Sequence, residues 1–124
     1  MIPRPLIAVV DDDASLRQAV ASLLKSYDIA CCKFGTGEEL LNSPTIAEFS
    51  CFLTDVVMPG MDGFELVEAL RARGFMQPTI FMTAYKREGY AERAHALSAT
   101  CIVSKPFETE KLMGCVRRAL ASAR

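Results

Sequence analysis

Five short apolar runs alternate along the chain with stretches whose hydrophobic residues recur at helical spacing. The runs are Leu6–Val10, Ile29–Phe34, Cys51–Thr54, Thr79–Met82 and Cys101–Ser104. They are nearly continuous rather than strictly alternating, which fits strands covered on both faces. After the first run, Leu16, Ala19, Val20, Leu23 and Leu24 mark one stripe of a helix, with Asp13 as its N-cap. Thr36 and Glu39 have capping-box spacing ahead of a short second helix, which Ser43-Pro44 ends. Asp62 and Glu65 open a third helix with the stripe Leu66, Val67 and Leu70, and Gly74 is its C-cap. Lys86–Leu97 predicts a weak fourth helix with Gly89 inside it and Ala91, Ala94 and Leu97 as its stripe. Leu112, Cys115, Val116, Ala119 and Leu120 share one face of a fifth.

Five β-α units in series, with no linker or repeat between them, predict an α/β fold. Right-handed crossovers make it a doubly wound parallel sheet between helical layers. At 124 residues the chain suits one domain, 1–124, with a core large enough to need no staples. A net charge of −1 offers no general attraction for nucleic acid. No apolar run is long enough to cross a membrane, and Met1–Pro5 lacks the pattern of a secretory signal. Starting with Met1, the chain is expected to be the first domain of a protein or the whole of one. The five cysteines are Cys31, Cys32, Cys51, Cys101 and Cys115, an odd number with no C-x-x-C pair. They read as small buried hydrophobes in a reducing cytoplasm.

Parallel sheets of this kind bind ligands beyond the carboxyl ends of their strands. The residues leaving those ends are Asp11, Asp12 and Asp13 after the first run, Asp55 after the third, Thr83 after the fourth and Lys105 after the fifth. Clustered carboxylates repel one another, and a divalent cation relieves the repulsion. All-oxygen donors suit Mg²⁺. A lysine ammonium and a threonine hydroxyl beside such an ion are what a phosphoryl group needs, and a carboxylate can accept that group as an aspartyl phosphate.

At these residues the chain resembles the receiver domains of bacterial two-component systems. The matching segments are Val9-Val10-Asp11-Asp12-Asp13, Thr54 through Gly63, Met82-Thr83-Ala84 and Ser104-Lys105-Pro106-Phe107, in order along the whole chain. The resemblance implies a flavodoxin-like sheet of order 2-1-3-4-5 with five flanking helices. It implies a phosphorylation-dependent switch in which Asp55 accepts the phosphoryl group from a sensor histidine kinase or a histidine phosphotransfer protein. Mg²⁺ or Mn²⁺ would be held by Asp11, Asp12, Asp55 and the Val57 backbone carbonyl. Lys105 would pair with the phosphoryl group, and Thr83 would move to bond it. A cis Lys105-Pro106 bond is expected, as is output through the fourth helix, fifth strand and fifth helix to a second copy or an output domain. Two departures stand out. Ile102 occupies a switch position that is usually aromatic, and Ser98 stands where glycine is common. Val57 and Tyr85 sit where the family tunes the lifetime of the phosphorylated state.

Asp11-Asp12-Asp13-Ala14-Ser15 also resembles the D-x-D-x-[TS] opening of haloacid-dehalogenase phosphatases, with Asp11 as nucleophile. That family needs a further acidic ligand late in the chain, and no Asp follows Asp62. His95, the single histidine, reads as solvated, Gly35-Thr36-Gly37 is too short for a dinucleotide fingerprint, and the methionines read as core filler.

Overall fold

A computed structural model describes residues 4–122; the outermost residues of the expected domain lie outside that range. The elements are β1 (Leu6–Val10), α1 (Ala14–Ser26), β2 (Ala30–Phe34), α2 (Gly37–Leu41), a 3-10 turn (Ile46–Glu48), β3 (Cys51–Asp55), α3 (Gly63–Ala72), β4 (Thr79–Thr83), α4 (Tyr90–Ala96), β5 (Cys101–Ser104) and α5 (Thr109–Ser122). The strands form one sheet in the order β2-β1-β3-β4-β5, and every adjacent pair is parallel.

Strand side chains alternate between the two faces, so each strand feeds two cores. Ile7, Val9, Leu53 and Met82 pack with Val20 and Leu24 of α1 and with Leu112 and Val116 of α5. Ala8, Val10 and Phe52 pack on the other face with Leu40 of α2 and Leu66 and Leu70 of α3. A smaller cluster joins Phe81, Phe64, Val67 and Ala94, with Tyr90, Leu97 and Ile102 packed against it. Each fully buried Leu or Phe here contributes about 2–3 kcal/mol through loss of water contact. The central strand β3 is buried at every residue, whereas the edge strand β2 is mostly exposed or half-buried.

The helix ends follow the capping logic of the sequence. Asp13 accepts hydrogen bonds from the Ser15 and Leu16 backbone N–H groups. Asp62 and Glu65 form a complete capping box. Thr36 caps α2 by accepting from Glu39 N, but the Glu39 carboxylate accepts from Gly35 N, so that box is half formed. Helices α1, α3 and α4 each end in a left-handed residue, Asp28, Gly74 and Ser98 in turn. The next residue's N–H then closes on the carbonyl five residues back: Ile29 to Leu24, Phe75 to Leu70 and Ala99 to Ala94. Ser98 therefore occupies a C-terminal cap that favours glycine, which explains the expected glycine there.

Three expectations need correction. Met76 is exposed on the loop before β4 and is not core filler. Helix α4 begins at Tyr90 rather than Lys86, and Gly89 precedes it with φ +89 instead of lying inside it. A left-handed glycine cannot continue a helix, so the element is cut to seven residues, and Tyr90 replaces exposed Ala91 on its inner face. The cysteines are not uniformly free or buried. Cys101 of β5 and Cys115 of α5 form a disulfide, and Cys32 is exposed. Packing of α5 on the sheet brings the Cys101 and Cys115 Cα atoms to 6.1 Å, within bridging range, which a spacing of 14 residues in sequence does not announce.

Candidate phosphoacceptor site

The carboxyl ends of β1, β3 and β5 deliver three groups to one crevice. Asp11 follows β1 and has no exposed surface. Its backbone N–H donates to the Phe34 carbonyl of β2 at 3.1 Å, and its own carbonyl accepts from Arg17 Nη1 of α1 at 2.6 Å. One carboxylate oxygen accepts from Asp13 N at 2.9 Å and the other from Lys105 Nζ at 2.7 Å. Asp55 ends β3 and is 6% exposed. Lys105 Nζ also lies 3.4 Å from Asp55 Oδ1, so one ammonium bridges two carboxylates from strands adjacent in the sheet. Exposed Asp12 completes the group: carboxylate oxygens of Asp11, Asp12 and Asp55 all lie within 4.8 Å of one another.

Two buried carboxylates beside a third, with one ammonium between them, leave net negative charge in the crevice. Burial pushes the Asp55 carboxyl up to about 6, the Asp11 charge adds to the rise, and the charge and hydrogen bond of Lys105 offset part of it. An oxygen-only donor set carrying excess charge fits a hard divalent ion.

Thr83, at the end of β4, is buried, and its hydroxyl donates to the Tyr85 carbonyl at 3.0 Å. Thr83 pairs in register with Ser104, and the Thr83 carbonyl accepts from Lys105 N at 2.8 Å. The Lys105-Pro106 bond is cis, as expected. Val57 and Tyr85 are 60% and 76% exposed, so both side chains are open to solvent on the loops after β3 and β4. Ile102 packs against the cluster of Phe64, Phe81 and Ala94. His95 is exposed and belongs to no site.

Two residues matter that sequence reasoning passed over. A Cβ on Gly63 would overlap the Asp55 carbonyl oxygen and come within 3.0 Å of the Asp55 carbonyl carbon and Val56 Cα. The start of α3 can therefore lie against the end of β3 only because this residue has no side chain. The Asp62 cap signalled a helix start, but nothing local signalled that close approach. Arg71 is the second. Its guanidinium donates to the carbonyls of Leu97, Phe75 and Gln77 and to Thr79 Oγ1, tying the end of α3 to the loop before β4 and to the end of α4. Helix α4 buries one residue of its own, yet this clamp and Arg93, stacked 4.4 Å over the Phe64 ring, hold it in place.

The family model described as "Response regulator receiver domain" matches residues 7–117. The DNA-binding transcriptional regulator NtrC of Klebsiella pneumoniae is 33% identical over 118 residues, 95% of this chain and 25% of that protein. The transcriptional regulatory protein FixJ of Bradyrhizobium diazoefficiens is 32% identical over 117 residues, 94% of this chain and 57% of that protein. The chain thus spans between a quarter and just over half the length of these relatives. Among solved structures, the chemotaxis protein CheY4 of Vibrio cholerae superposes with a TM-score of 0.87 at 30% identity, covering 95% of this chain and all of that one.

Proposed function

Because the chain belongs to the response regulator receiver domain family, we propose that it is a phosphorylation-dependent switch in which Asp55 is the acceptor. The observation that carries this reading is the single ammonium of Lys105 bridging buried Asp11 and Asp55 inside a three-carboxylate group. The donor is a phosphohistidine on a sensor histidine kinase or a histidine phosphotransfer protein. An Asp55 carboxylate oxygen attacks phosphorus, the phosphorus–nitrogen bond breaks, and the imidazole leaves with a proton. Asp11, Asp12, Asp55 and the Val57 carbonyl would hold Mg²⁺ or Mn²⁺, which would neutralise charge on the phosphoryl oxygens. Lys105 shifts its contact from Asp55 to a phosphoryl oxygen while keeping Asp11. Thr83 gives up the Tyr85 carbonyl and donates to another phosphoryl oxygen.

That exchange of partners by Thr83 carries the event to the loop after β4 and so to α4. With Ile102 in place of an aromatic ring, the response is a repacking of α4, β5 and α5, the surface offered to a second copy or an output domain. The domain is the whole span 1–124 and works in the cytoplasm. Val57 has no group to hold a water in line with phosphorus, and the Tyr85 hydroxyl is a poor base at neutral pH, so self-dephosphorylation is slow.

The phosphatase alternative requires Asp11 as nucleophile, and Asp11 is fully buried with both carboxylate oxygens already engaged. The test is to treat the protein with acetyl phosphate and Mg²⁺ and map the modified residue by mass. Modification at Asp55, lost in Asp55→Asn and without divalent ion, is the expected result. Phosphate on Asp11, or equal uptake by Asp55→Asn, would overturn the reading.

A further inference from the structure

The acceptor site uses none of the cysteines, yet two of them are joined at the end of β5 away from the acidic crevice. Cys101 starts β5 and is half-buried; Cys115 lies in the middle of α5 and is buried. The Arg118 guanidinium, one turn further along α5 and exposed, reaches both sulfurs: Nη2 is 2.8 Å from Cys101 Sγ and 3.3 Å from Cys115 Sγ. A surface groove of about 550 Å³ opens beside them, lined among others by Ile102, Phe107, Lys111, Cys115 and Arg118. A fixed positive charge against a partly exposed sulfur is the setting in which a thiol ionises and reacts. Among the described residues, no guanidinium contact of this kind is found at Cys31 or Cys51, and the Lys33 charge offsets only part of the effect of burial at Cys31. Burial pushes Cys51 up to about 12 and also raises Cys31.

We propose that Cys101 and Cys115 are a reversible dithiol–disulfide pair, primed by Arg118, that reacts with low-molecular-weight disulfides and fastens α5 to β5 when oxidised. Cys101, the less buried residue of the two, attacks first as the thiolate. A bond forms between its sulfur and one sulfur of the small disulfide, and the other sulfur leaves as a thiolate that takes a proton from water. Cys115 then loses its proton to solvent and attacks Cys101 Sγ, closing the intramolecular disulfide and releasing the second small thiol. Two protein thiols are oxidised and one small disulfide is reduced to two thiols. Arg118 acts through the sulfurs and is a positioning residue.

Closing the bond ties the first residue of β5 to the middle of α5, immediately beside Ile102. The consequence for signalling rests on the output surface proposed above; the thiol chemistry does not.

The experiment begins with the folded protein reduced by dithiothreitol, then exposed to oxidised glutathione and mapped by alkylation and peptide mass. The expected product is the Cys101–Cys115 disulfide, with Cys31, Cys32 and Cys51 all outside that bond, and dithiothreitol restores the reduced form without urea. Arg118→Ala should slow closure roughly three- to tenfold, with Arg118→Lys recovering most of the rate. Free thiols at both positions, arrest at a mixed disulfide, or reduction only after unfolding would each overturn the reversible pair. An unchanged rate in Arg118→Ala would overturn the role of the guanidinium. Hydrogen exchange, run on both redox forms with no phosphodonor, should show slower exchange in β5 and α5 of the oxidised form; equal exchange would refute the fastening. Because no phosphodonor is present, failure of the phosphoacceptor reading would leave these results untouched.

Discussion

Replacing Asp55 by asparagine removes the proposed acceptor, and the charge balance of the crevice says it should also stabilise the metal-free fold. Asp55 is 6% exposed and its carboxyl is pushed up to about 6 from 3.8, first by burial and then by the Asp11 charge. Between about pH 4 and pH 6 the folded protein holds a proton on Asp55 that the unfolded chain has released, so stability falls as pH rises across that window. Above it the cost is complete: roughly two pH units at about 1.4 kcal/mol each, or about 3 kcal/mol. Asparagine keeps the shape and carries no charge, but it gives up the contact with Lys105 at 3.4 Å. That contact's favourable effect is already included in the net rise to about 6, so the gain is about 3 kcal/mol at neutral pH. Urea unfolding followed by circular dichroism in EDTA measures it. The gain should be near its full value at about pH 7.5 and vanish below about pH 4, where both states of the wild type are protonated. Mg²⁺ should shrink the difference, because it stabilises the wild type more than the variant. An Asp55→Asn protein no more stable than wild type at neutral pH, or a gain that persists undiminished in acid, would refute the reasoning.

Other perturbations separate the roles of neighbouring residues. Asp12→Ala should weaken Mg²⁺ binding in a metal titration more than Asp13→Ala, which should instead cost about 1 kcal/mol by uncapping α1; equal losses of affinity would merge the two roles. Gly63→Ala should destabilise by about 3 kcal/mol and reduce acetyl phosphate labelling, since its Cβ meets backbone rather than a flexible side chain; a variant with wild-type stability and labelling would deny the close approach. Ser98→Gly should stabilise by roughly 0.5–1 kcal/mol in thermal unfolding, because Ser98 sits at φ 58; a loss would contradict the cap. Val57→Asn with Tyr85→Glu should shorten the phosphorylated lifetime by one to two decades, about 1.4 kcal/mol of barrier for each, read as decay after donor removal; equal decay would refute the shielding.

What the sequence determined alone was whatever short-range chemistry encodes. Apolar periodicity marked the five strands and four of the helices, capping spacing marked the short second helix, and Asp13 and Asp62 named their own helix starts because a cap is satisfied by N–H groups two or three residues away. The positions Asp11, Asp55, Thr83 and Lys105 were legible as strand ends, and a parallel sheet directs strand ends to one edge. Tertiary packing decided what no spacing carries. It set Lys105 Nζ 2.7 Å from an aspartate 94 residues earlier in the chain. It turned the Thr83 hydroxyl toward the Tyr85 carbonyl, made Gly63 indispensable through a backbone it meets across a loop, and drew Arg71 into a clamp on the end of α4. It also joined Cys101 to Cys115, which composition had suggested were separate buried thiols. Local propensity acts over one helical turn, whereas these contacts exist only once two cores have closed on opposite faces of the sheet and fixed which strand ends, helix ends and sulfurs meet.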